Sequence, residues 1–130
     1  MHSWRTAHAL IACASIAWCL AITAGCGHNA RSLNLDKETA RQSLSKFLDC
    51  WKAGGEPNAL QADSPAIVGH DTDWDSGKKL VSFTLGAETD DGTNMHITTE
   101  LVLSDGRGQA TKAVDYIVGT SPVITIFRDE

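Results

Sequence analysis

Proline occurs three times in 130 residues, aromatic side chains make up 6% of the chain, and no apolar run is long enough to span a bilayer. So little proline, with no glycine period, excludes a collagen-like or polyproline rod. Cysteine occurs only at 13, 19, 26 and 50, in no pattern that would staple a small fold or form a four-ligand zinc site. The apolar run Ala9–Ile22 has 14 residues and no charge, where a transmembrane helix needs ~20. Basic residues are outnumbered by acids, 11 to 16, and form no stripe, which argues against a nucleic-acid partner. No nucleophile elbow, phosphate loop or dinucleotide fingerprint is present. Gly106-Arg107-Gly108 is a turn, because Thr111 stands where a third glycine would be.

What the chain does have begins at its amino end. Met1–His8 is polar with Arg5 as its cation, Ala9–Ile22 is apolar, and Thr23-Ala24-Gly25 supplies small residues. That is the order of a secretory signal, and it assigns residues 1–25 to a removed leader. All sixteen acids follow residue 25, against ten basic residues, so the segment from Cys26 carries a net charge of −6. Its length of about 105 residues suits one domain. Cys13 and Cys19 depart with the leader.

Ile22-Thr23-Ala24-Gly25-Cys26 resembles the lipobox of bacterial lipoproteins, with Thr23 where that family usually has Leu. The resemblance implies cleavage before Cys26, acylation of its thiol and new amine, and a bilayer as first partner. An ordinary secreted protein cut near the same place is the alternative. One acyl chain binds a membrane only marginally, whereas several on one residue anchor it firmly. Gly27, rather than Asp, follows the cysteine. By the sorting rule of some diderm bacteria, this implies the outer membrane of the cell envelope. Cys50 is then the one remaining thiol, and is expected as a half-buried structural group.

Residues 26–35 read as a tether from the bilayer, His28 being solvated there, and 36–130 as a single α+β domain. Asp36 suits an N-cap, with Glu38 in the first turn. Ala40, Leu44, Phe47, Leu48 and Trp51 make one stripe at helical spacing, stopped by Gly54-Gly55. The spacing predicts an amphipathic helix over 36–53, and Glu56–Leu60 a further turn. Strands are predicted at 66–70, 79–87, 95–103, 109–118 and 123–128, separated by Asp/Gly/Ser-rich turns. Met95, Ile97, Thr99, Leu101 and Leu103 alternate cleanly against His96, Thr98 and Glu100, so one sheet face is buried and the other wet. The expected architecture is one amino-terminal helix on a curved antiparallel sheet of four to five strands. The last strand, apolar on both faces, is expected inside the sheet or covered.

That arrangement resembles the cystatin-like and NTF2-like folds in topology, without a shared motif. Phe47–Gly54, Asp73–Leu80 and Val118–Val123 resemble runs in small planctomycete-type lipoproteins, a resemblance that implies an address and a fold but no chemistry. With one clear helix the chain departs from NTF2-like enzymes, whose cone is closed by several.

The densest functional-looking run is His70-Asp71-Thr72-Asp73-Trp74-Asp75. An EF-hand loop would need Gly at the sixth position and Glu at the twelfth, where this chain has Ser76 and Ser82. The run is expected to be an acidic solvated turn, with His70, Asp73 and Trp74 as candidate binding residues and Trp74 alternatively a core cap. Tyr116 is expected in the core and His96 at the surface. No catalytic residue, cofactor or metal is expected. The leading functional expectation is an anchored, non-catalytic interaction or scaffold module for an envelope protein or polymer. A small-ligand-binding NTF2-like domain, and a hydrolase or isomerase of that fold, are the alternatives.

Overall fold

A computed structural model describes residues 35–130. The leader, Cys26 and the tether through residue 34, His28 included, lie outside the described residues.

Helix α1 spans Lys37–Lys52. The Asp36 carboxylate caps it, accepting from the Thr39 backbone N–H at 3.0 Å and the Thr39 hydroxyl at 2.8 Å. These bonds hold its carboxyl below the usual range. The apolar stripe of α1 is buried as its spacing requires, and Ser43 joins it. At the far end the chain leaves through Gly54, at φ +81°, a conformation that favours glycine. A 3₁₀ turn over Ala59–Ala62 follows, slightly later than the expected helical turn.

Five strands form one sheet: β1 (Ile67–His70), β2 (Lys79–Asp90), β3 (Met95–Ser104), β4 (Gln109–Gly119) and β5 (Ile124–Asp129). Their order is β1-β5-β4-β3-β2. β2 to β5 are the expected antiparallel meander, but β1 runs parallel to β5, Ile67 pairing with Ile124. The sheet is therefore mixed and open, a correction to the antiparallel expectation. Its cause is the path of the chain: β1 and β2 lie on opposite edges, so residues 71–78 must cross from one to the other. Two register shifts in β2, at Leu80/Ser82 and Leu85/Glu88, mark bulges, which bend and twist a strand.

One sheet face packs on α1. Met95, Ile97, Thr99, Leu101 and Leu103 from β3 point there, with Val114, Tyr116 and Val118 from β4 and Ile124 and Ile126 from β5. Gly69 of β1 faces the same way. A Cβ placed on it would overlap the Phe47 ring, so glycine leaves the room that the ring occupies. β5 is an interior strand, as expected, but is covered on one face alone: Phe127 points to the other side and is 44% exposed.

Candidate functional site

Residues 72–75 are not the solvated turn expected from their charge. They form one helical turn, α2 (Thr72–Asp75), laid against the inward sheet face. Asp71 caps it, its Oδ1 accepting from the backbone N–H groups of Asp73 at 2.9 Å and Trp74 at 3.1 Å. Asp71 is fully buried and Asp73 nearly so. A carboxylate leaves water only where partners replace its hydration, and the inward face provides them. Tyr116 donates to Asp71 Oδ2 at 2.5 Å, and Arg128 Nη2 lies 2.9 Å from the same oxygen. That contact is an ion pair without an aligned hydrogen bond, and Arg128 Nε likewise has no acceptor; Coulombic attraction does not require alignment.

Asp73 collects three cations. Lys78 approaches Oδ1 at 2.6 Å, while Lys112 and Arg128 Nη1 approach Oδ2 at 3.1 and 2.7 Å. Burial alone would raise the Asp73 pKa, but hydrogen bonds from Lys78, Arg128 and Lys112 outweigh it and hold the carboxyl well below its ordinary value. Burial, then the neighbouring Asp71 charge, pushes the Tyr116 phenol well above its own. Burial works against the Arg128 charge, yet Asp73 and Asp71 more than restore it.

The three candidate binding residues meet three different settings. His70, at the end of β1 on the uncovered face, is exposed and places Nδ1 2.7 Å from Asp75 Oδ2. Asp73 is the anion of the buried network. Trp74 is core: its ring stacks on Trp51 with centroids 5.4 Å apart and meets Phe47 edge-on at 5.1 Å. Both indole N–H groups are satisfied by backbone, Trp74 on Gly55 O at 3.2 Å and Trp51 on Lys78 O at 2.8 Å. So α2 brings Asp73 and Trp74 under the sheet and leaves His70 on the other side of it. His96 is half-buried on the uncovered face and reaches Asp91 at 3.0 Å.

Sequence reasoning did not find Asp71, Lys78, Lys112 or Arg128. The signal was present on the strands. Lys112 shares the inward register of Val114 and Tyr116, and Arg128 that of Ile124 and Ile126. A cation at an inward position asks for a buried anion. Among the described residues, no three His, Cys, Asp or Glu are grouped to hold a metal ion. Cys50 is half-buried, and burial raises its thiol pKa, the opposite of an activated nucleophile.

Two open cavities flank the network, both lined by Lys78. One of about 550 Å³ has Trp51, Gly55, Glu56, Trp74 and Lys79 on its wall. The other, about 380 Å³, lies at the turn between β3 and β4. Compared with protein-family models, curated proteins and solved structures, the chain matches none.

Proposed function

We propose that this protein is a lipid-anchored, non-catalytic interaction module of a bacterial cell envelope, possessing a cystatin/NTF2-like arrangement of helix on sheet. The observation that carries the non-catalytic part is the state of its densest ionisable cluster. Asp71 and Asp73 are engaged by Arg128, Lys78 and Lys112. Asp73 is held far on the ionised side and Tyr116 far on the protonated side. General acid–base work needs groups whose pKa lies near the working pH, and these two are held away from it. The network therefore serves the fold, pinning α2 beneath β4 and β5.

The anchor rests on the lipobox-like run ending at Cys26. Among the described residues no helix is long and apolar enough to cross a membrane. The partner surface is the uncovered sheet face, where Phe127 pairs across the strands with Ile117 and neighbours His70. Among the described residues, no helix covers it.

The test is made in a bacterium that processes lipoproteins. The full chain should partition into detergent, with acyl mass on a peptide beginning at Cys26. Cys26→Ser should leave the precursor uncut or release the protein. Phe127→Glu should abolish co-purification with an envelope component while leaving the melting temperature nearly unchanged. A soluble, unacylated mature form would sink the anchor; retention of every partner by Phe127→Glu would sink the surface.

A further inference from the structure

The described domain begins at one end of the sheet, where the Asp36 backbone N–H donates to Thr120 Oγ1 on the turn between β4 and β5, at 3.2 Å. The 380 Å³ cavity is at the opposite end, lined by Lys78, Leu103, Asp105, Arg107, Ala110 and Lys112 among others. Its cations are not exhausted by the network behind it. An ammonium carries three N–H donors. Lys78 and Lys112 each spend one on Asp73, and their side chains remain 42% and 50% exposed. Arg107 has no ion-pair partner among the described residues. A guanidinium without a partner at a cavity wall offers a planar fork of donors suited to an oxyanion.

Charge counting points the same way. Asp71 and Asp73 face three cations, Lys78, Lys112 and Arg128, and Asp105 offsets Arg107. One positive charge is left over on a chain whose net charge is −5. The excess lies on the cavity side, because Arg128 is buried behind Asp73 whereas the two lysines line the opening. Leu103 and Ala110 give the same cavity an apolar wall.

We propose that this cavity binds a small organic oxyanion, a phosphate monoester or carboxylate, with its head between Lys78, Lys112 and Arg107 and its short apolar body on Leu103 and Ala110. The site goes beyond the scaffold reading and does not depend on it. It is on the inward side of the sheet, away from Phe127, and needs no membrane to form.

The experiment is an amide NMR titration of the full chain in neutral detergent with inorganic phosphate, n-butyl phosphate and butyrate, against sodium chloride at matched ionic strength. Saturating shifts are expected at Lys78, Gly108, Gln109 and Lys112, with butyl phosphate binding more tightly than inorganic phosphate. The tighter of butyl phosphate and butyrate assigns the head group. Arg107→Gln, on an exposed turn, should weaken binding about tenfold or more, and Asp105→Asn should strengthen it. Lys46→Gln, whose partner Asp63 is outside the cavity, should change nothing. Shifts that fail to saturate, or that sodium chloride reproduces, overturn the proposal. So does an affinity that neither Arg107→Gln nor Lys112→Gln alters.

Discussion

The hydroxyl of Tyr116 and the carboxylate of Asp71 meet at 2.5 Å, and both residues are wholly shielded from solvent. This bond joins the middle of β4 to the cap of α2, and so ties the chain's crossing segment to the sheet it crosses. A hydrogen bond to a charged group contributes more than one between neutral groups, roughly 1.5–3 kcal/mol.

Tyr116→Phe should therefore lower stability by about 1.5–3 kcal/mol in urea unfolding. The wild-type phenol is raised above its unfolded value, so its contribution is fully present below pH ~10 and is lost as pH rises beyond that. The Phe variant should lack this alkaline loss. Parallel alkaline melting curves for the two proteins would show that Tyr116 does not carry it.

Asp73 works in the opposite direction. Its folded pKa is depressed, so its stabilisation is present above the unfolded value of ~3.9 and is lost as pH falls through the lower folded one. Asp73→Asn should be less stable than wild type at neutral pH and lose less on acidification. Thermal melts stepped downward from about pH 5 give the comparison. An acid-limb slope unchanged by the substitution would place the acid-sensitive group elsewhere.

Gly69→Ala should destabilise by about 1–3 kcal/mol through overpacking, because the new methyl would stand in the fully buried Phe47 ring. Phe47→Leu in the same chain should recover part of the loss, since the ring edge is then gone. Guanidinium unfolding of the single and double variants tests the contact, and additive losses would refute it.

The parts legible in the sequence were those that local pattern determines. The α1 stripe from Ala40 to Trp51 and the β3 alternation from Met95 to Leu103 repeat at the periods of their elements, and both are buried as read. The glycines at 77, 92 and 106 take positive φ in the turns that separate the strands. The parallel pairing of β1 with β5 left no local trace, because its partners are distant in sequence. The α2 segment misled because local composition and tertiary setting disagree. Three aspartates in five residues read as wet, yet two of them are drawn inward by Tyr116, Lys112 and Arg128, which lie at least thirty-nine positions away. The same disagreement hid the network, and with it the cation excess at the cavity.

The parallel pairing of β1 has a consequence for how the protein comes apart. Only four residues hold it, Ile67–His70, and its partner Ile124 comes fifty-seven positions later. A short ladder closed over so long an interval is the part of a sheet that opens first in sub-global fluctuations. When it opens, the meander from β2 to β5 can stay paired, but the flank of Ile124-Thr125-Ile126-Phe127 is bared. That run is uncharged and made of three β-branched residues and a phenylalanine, the composition from which intermolecular strands grow. Four residues at the margin of the sheet thus act as a shutter on its most self-associating segment, and amide exchange along β5 should report how often the shutter lifts.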